Sequence, residues 1–151
     1  MTFYGTYEYQ LDDRNRVALP PAFRDAYDAG AVLATGVEPC VLVYTPSGFE
    51  KAGAAIEAIP IETEDGREAR RDFYGNAFPE KKDAQGRILL RGMLITHAGL
   101  RKDVLVIGAG DCLEIWDRPT YEARAAEREA ARRNRLAQIG ERKAAQQGTG
   151  A

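Results

Sequence analysis

Hydrophobic and polar residues alternate at the start of the chain, with Phe3, Gly5, Tyr7 and Tyr9 set against Tyr4, Thr6, Glu8 and Gln10. A period of two predicts a half-buried β-strand. A polar turn follows, and residues 16–19 (Arg-Val-Ala-Leu) begin a short strand that Pro20 and Pro21 end, because proline cannot donate to a ladder. Proline suits a first helical turn, so a short helix is expected over 21–27. Two β-rich runs at 31–34 and 41–44 flank a turn signal, Thr-Gly-Val-Glu-Pro, at 35–39. Ser47 is placed to cap a helix over 48–59. A further helix is expected over 63–75, with Glu64 and Asp65 at its start, where the helix dipole favours negative charge.

The same order then returns. The second half predicts a strand at 87–90, a short helix near 91–97, strands at 104–107 and 113–116, and a long helix after that. The residues at 12–19 align with those at 83–90, an offset of 71. Cys40-Val-Leu-Val-Tyr44 aligns with Cys112-Leu-Glu-Ile-Trp116 at an offset of 72, and Phe49-Glu50 with Tyr121-Glu122 in that register. A duplicated unit of about 45 residues accounts for all three landmarks. The expected domains are one repeat over 6–50, a second over 77–122 and a basic helical tail over 123–151, with disorder expected from Gln146 onward.

Both repeats carry Asp-x-x-x-Arg between strands: Asp12 to Arg16 and Asp83 to Arg87. The position before each arginine holds Asn15 or Gly86, the types that best tolerate positive φ, so the two turns can share one backbone shape. Each aspartate can accept hydrogen bonds from turn amides or hold the arginine four residues on. The arginine offers a planar fork of donors that suits guanine O6 and N7 in the major groove. Arg14 and Gln85 stand where they can reach phosphate or a second base edge. A solvated hairpin turn is the plain alternative for either motif taken alone.

Composition adjusts this picture in detail. The chain has 151 residues, 44% hydrophobic and 29% charged, as expected of a globular protein. The net charge of −2 is uneven: between Arg118 and Lys143 there are eight Arg or Lys and four Glu, a local +4 that leaves −6 elsewhere. Contact with DNA needs only one suitable face. Arg124, Arg128, Arg132, Arg135 and Arg142 make one basic stripe on an alanine-rich helix, either a solvated face or a phosphate rail. The first nine residues have no basic head or apolar core, so no secretory signal is expected. Cys40 and Cys112 form no CxxC pair and read as reduced, buried thiols, which points to the cytoplasm. His97, the only histidine, is read as a surface or capping residue, and no metal or cofactor is expected. Tyr4, Tyr7, Tyr9, Phe23 and Trp116 read as core or interface aromatics. Nothing supplies a nucleophile, base and oxyanion site together, so no enzyme is expected.

The segments GTYEYQLDDRNRVALPPAFR at 5–24, DAQGRILL at 83–90 and GAGDCLEIW at 108–116 resemble the MraZ family over roughly residues 6–121. The resemblance implies an α+β fold of tandem SpoVT/AbrB-like swapped-hairpin β-barrel units about a pseudo-twofold, with short flanking helices and a C-terminal helix. It implies a cytoplasmic, nucleoid-associated transcriptional regulator of the bacterial division and cell-wall gene cluster. Such a regulator binds repeated double-stranded DNA sites upstream of its own operon and assembles into a ring. It assigns DNA contact to Asp12 and Arg16, and to Asp83 and Arg87, with Arg14 and Gln85 beside them on the strength of the turn chemistry alone. No membrane or small-molecule partner is implied. The second half departs from the first: Leu11 becomes Lys82, Pro20-Pro21 becomes Arg91-Gly92, and Arg24 becomes Ile95. The first repeat therefore reads as the more complete, with Arg24, Lys82 and Arg91 as further candidate phosphate contacts. The alternative reading is a ring-forming protein-interaction scaffold without specific DNA binding.

Overall fold

In the computed structural model, which describes residues 1–148, the chain forms two compact units. The first, Met1–Arg118, contains both β-rich repeats. It runs β1 (Thr6–Gln10), β2 (Arg16–Ala18), a 3-10 helix (Pro21–Tyr27), β3 (Ala31–Thr35), β4 (Val41–Tyr44), α1 (Pro46–Glu57) and α2 (Glu64–Gly75). The second pass gives β5 (Ala77–Glu80), β6 (Arg87–Leu89), α3 (Gly92–Ala98), β7 (Asp103–Gly108) and β8 (Leu113–Asp117).

The two repeats do not fold side by side; they exchange strands. A six-stranded antiparallel sheet has the order β1-β7-β8-β4-β3-β5, and β2 pairs with β6 in a separate two-stranded ribbon. Strand β1 of the first repeat thus pairs with β7 of the second, and β5 of the second with β3 of the first. The order is a palindrome under the duplication. Its centre is the β4–β8 pair, where Val41 faces Ile115, Leu42 faces Glu114 and Val43 faces Leu113. The ribbon has the same symmetry, centred on Val17 opposite Ile88. The expected α+β architecture of two swapped hairpins is the observed one. Register refines the duplication: Leu33 and Val106 hold equivalent places facing Val43 and Ile115, an offset of 73. The second repeat therefore gains two residues before β7 and loses one before Cys112.

The periodicity that predicts β1 is seen in its burial: Tyr7 and Tyr9 are half-buried while Thr6, Glu8 and Gln10 are exposed. One core gathers the inward positions of both repeats, including Val17, Leu19, Tyr27, Leu33, Val43, Ile88, Leu90, Leu94, Val106 and Ile115. Phe3, Phe23 and Tyr27 pack their rings at one end of it. Tyr27 donates its hydroxyl to the Val43 carbonyl at 2.8 Å, which satisfies both groups in the interior. Pro79 lies in β5, an edge strand of the sheet, where a missing donor is tolerated. Helices α1 and α2 pack together through Phe49, Phe73 and Tyr74.

Some local expectations change. The helix at 21–27 is of the 3-10 type. The cap of α1 is Thr45, whose hydroxyl accepts from the Gly48 amide at 3.0 Å, and Ser47 lies inside the helix. Pro46 takes the first helical position, where no partner for its nitrogen is needed.

The second unit begins at Pro119. Its residues belong to α4 (Arg118–Ala123) and α5 (Ala125–Gly148), so the expected single helix breaks at Arg124. Residues 146–148 are helical rather than disordered, since alanine and glutamine carry α5 on; 149–151 lie outside the described residues. No residue of α5 is buried. Arg124 pairs with Glu127, Arg132 and Arg133 share Glu129, and Arg128 stacks over Tyr121 at 3.5 Å.

Candidate nucleic-acid interface

The ribbon positions the candidate arginines. Side chains alternate across a strand, so Val17 and Ile88 point into the core while Arg16, Ala18, Arg87 and Leu89 share the opposite face. Arg16 pairs with Leu89 and Ala18 with Arg87, which sets the two arginines diagonally across one pair of strands.

Each arginine leaves its turn in the same way. Asp12 Oδ1 accepts the amides of Arg14 at 2.9 Å and Arg16 at 2.8 Å, and Oδ2 accepts Arg16 Nε at 2.8 Å. Asp83 Oδ1 accepts Gln85 at 3.0 Å and Arg87 at 2.8 Å, and Oδ2 accepts Arg87 Nε at 2.9 Å. The turn carbonyls of Asp12 and Asp83 accept from Asn15 and Gly86. Those two residues have φ of 59° and 74°, so the shared backbone shape expected of Asn and Gly is present. Each aspartate does both of the jobs open to it: it closes the turn and aims the arginine.

The two turns also meet. Arg87 Nη1 lies 3.3 Å from Asp12 Oδ2, and Arg16 Nη1 lies 3.6 Å from Asp83 Oδ2. Two carboxylates and two guanidinium groups thus form a square of alternating charge. Amide hydrogen bonds from Arg16 and Arg87, opposed in part by desolvation, hold the Asp12 and Asp83 carboxyls below the usual range. The side chains of Arg16 and Arg87 are 25% and 30% exposed. Each guanidinium has five N–H groups, and Nε and one Nη1 hydrogen face carboxylates. Three donors of each arginine remain for a ligand.

Around the square, Arg14 and Gln85 are exposed. Leu89, which the sequence reading passed over, is 43% exposed on the same face. Only the pairing of β2 with β6 reveals it, since Leu89 reads as one more apolar strand residue. Arg24 lies elsewhere than its repeat suggests. Because the hairpins exchange, it crosses to the second turn and covers Gly86, while its Nη2 donates to the Leu19 carbonyl at 2.9 Å. The helical arginine of the first repeat therefore serves the turn of the second, which corrects the reading of the second turn as the one without it. Lys82 donates to the Arg24 carbonyl at 3.1 Å and pairs with Asp28. Arg91 pairs with Glu80 at 2.9 Å and stacks over Phe78, yet is exposed. His97 sits on the surface and bonds the Gly36 and Glu38 carbonyls across the β3–β4 turn. Cys40 and Cys112 are buried, and burial pushes each thiol up to about 12.

Fold and site together define a fused pair of exchanged β-hairpin repeats that present two aspartate-held arginines on a ribbon. A family model described as "MraZ protein, putative antitoxin-like" matches residues 2–72 and again 73–142. The chain is 39% identical over 129 residues to a transcriptional regulator MraZ of Micrococcus luteus, covering 85% of this chain and 90% of that protein. It is 38% identical to the one of Leifsonia xyli subsp. xyli, with the same coverage. It is likewise 38% identical to the one of Salinispora arenicola, over 84% of this chain and 89% of that protein. The chain belongs to the MraZ family. The relatives carry the name of a regulator and not of an enzyme. Among the described residues, no helix is long and apolar enough to cross a membrane.

Proposed function

We propose that the protein is a sequence-specific DNA-binding transcriptional regulator that acts through its two Asp-x-x-x-Arg turns. The relatives named as transcriptional regulators support regulation as the role. The observation that carries DNA contact is the square on the ribbon: two arginines with spare donors, fixed by carboxylates, on one exposed face. A two-stranded ribbon fits the major groove, where Arg16 and Arg87 would each take a guanine O6 and N7. Leu89 and Ala18 would lie against thymine methyl groups. Arg14 and Gln85 would reach phosphate or a second base edge, and Arg91 is the outermost phosphate candidate. Arg24 and Lys82 already hold partners within the fold, so any phosphate they meet must compete with these.

The proposed targets are repeats upstream of the protein's own operon in the bacterial division and cell-wall cluster. The proposed assembly is a homo-oligomeric ring in the cytoplasm, associated with the nucleoid. Linked weak contacts along repeated sites would raise affinity through effective concentration.

Binding of a labelled duplex carrying the upstream repeats, measured beside a shuffled duplex across a salt series, tests this reading. Arg16→Ala is expected to abolish preference for the repeats while leaving the fold and the oligomer unchanged by circular dichroism and sedimentation. Equal affinity for repeat and shuffled duplexes in the wild type would favour the scaffold reading, or a purely electrostatic contact, and sink the proposal.

A further inference from the structure

One contact beside the square has no counterpart across the pseudo-twofold. Arg24 lies flat over Gly86, so that a Cβ added there would fall inside the Arg24 side chain. Gly86 is buried as a result, whereas its equivalent Asn15 is exposed. The Arg24 guanidinium ties to the Leu19 carbonyl, and the Leu19 amide in turn donates to the Gly86 carbonyl at 2.9 Å. The Arg24 carbonyl accepts from Lys82, the residue just before Asp83. The 3-10 helix, the end of β2 and the start of the second turn are thereby joined through one residue. Arg24 Nε is buried and makes no hydrogen bond. Leaving a charged donor unpaired is unfavourable unless the surroundings fix the group for other reasons. In the first turn the Leu90 amide likewise donates to the Asn15 carbonyl at 2.8 Å, but the side-chain brace has no equivalent: Ile95 replaces Arg24, Leu11 replaces Lys82, and Asn15 carries a side chain where Gly86 has none.

We propose that Arg24 is a positioning residue that holds the turn at residues 83–87 in its DNA-reading shape, so that, of two turns formed alike, the second is braced more firmly than the first before DNA arrives. The proposal rests on the DNA-reading role of the turns. Its physical basis is that glycine at positive φ has the most backbone freedom to lose, and a guanidinium packed over it removes alternatives before the ligand arrives. Asn15, exposed and uncovered, keeps its alternatives. The unequal flanks thus give one braced turn and one unbraced turn in a nearly symmetric ribbon.

Amide hydrogen exchange of the full chain without DNA tests the brace alone. Protection at Gly86 and Arg87 is expected to exceed that at Asn15 and Arg16 by about tenfold. Arg24→Leu should remove the difference and leave the first turn unchanged, and Arg24→Lys should not restore it, because an ammonium cannot lie flat over a peptide. Equal protection of the two turns in the wild type, or no change in Arg24→Leu, overturns the proposal. Should Arg24→Leu fail to fold, the double substitution Asn15→Gly with Ile95→Arg carries the test: protection must rise at position 15, and its failure to rise overturns the brace. A second arm uses the upstream-repeat duplex. Arg24→Leu is expected to weaken binding with an unchanged slope of log affinity against log salt. A slope smaller by about one would make Arg24 a phosphate contact and overturn its positioning role. The exchange arm contains no DNA, so it stands or falls apart from the turns' DNA-reading role.

Discussion

Ile88 and Leu89 are neighbours in β6, yet the ribbon gives them opposite duties. Ile88 is 0% exposed, against Val17 and the core, whereas Leu89 is 43% exposed beside Arg16. Truncating Ile88 to alanine removes buried carbons and leaves a cavity, which costs about 2–5 kcal/mol. In a chain of 151 residues each kcal/mol moves the melting midpoint by about 2–4 °C, so a fall of roughly 4–20 °C is expected. Leu89→Ala is expected to shift the midpoint little, since the side chain is far from fully buried. Complete burial of a leucine contributes about 1.5–3 kcal/mol, and less than half of Leu89 remains to be covered by DNA. About 1 kcal/mol, or roughly fivefold in affinity, is therefore at stake at the interface. Thermal melts by circular dichroism and anisotropy titrations of both variants, the latter well below the midpoint of Ile88→Ala, separate the two effects. A Leu89→Ala variant with wild-type affinity for the repeats would refute the assignment of this face to DNA. An Ile88→Ala variant with an unmoved midpoint would refute the packing argument.

The carboxyls of Asp12 and Asp83 titrate below their ordinary range in the fold, held there first by the Arg16 and Arg87 amides. A depressed folded-state pKa stabilises the fold above the unfolded value, near 3.9, and that contribution is lost as pH falls through the folded value. Urea midpoints should therefore drop below about pH 4, and more steeply in the wild type than in Asp12→Asn with Asp83→Asn; parallel curves would contradict the hydrogen-bonded turns. Cys40 and Cys112, with thiols pushed up to about 12, should resist a thiol reagent at pH 8 in the folded protein and react once it is unfolded. Tyr27→Phe leaves the Val43 carbonyl without its donor and should cost about 1–3 kcal/mol, read as a lower melting midpoint.

Much of this architecture is legible because the two halves repeat. Asp-x-x-x-Arg with Asn15 or Gly86 before the arginine specifies a turn from short-range chemistry, and such chemistry survives in the fold unchanged. The period-two run at β1 and the proline that opens the 3-10 helix at Pro21 are local in the same sense. What the residues do not show is which strand pairs with which. Exchange of hairpins is a long-range event, and it decides that Arg24 acts on Gly86 rather than on its own repeat's turn. The same exchange brings Asp12 to Arg87 and Asp83 to Arg16, contacts spanning more than 60 residues that no local pattern encodes. Leu89 was hidden for a related reason: whether an apolar strand residue faces the core depends on its partner strand, and β2 lies in the other repeat. Thr45 displaced Ser47 as the cap because Pro46 fixes the first helical position one residue after it.

The central claim is that the square of Asp12, Arg16, Asp83 and Arg87 reads DNA sequence. The most direct test is to capture genomic fragments on the purified wild-type protein and on Arg16→Ala with Arg87→Ala, and to sequence what each retains. The wild type is expected to enrich repeated sites upstream of its own gene, and the double variant to lose that enrichment while melting like the wild type. Random fragments on the wild type, or the same enriched repeats on the double variant, would contradict the claim.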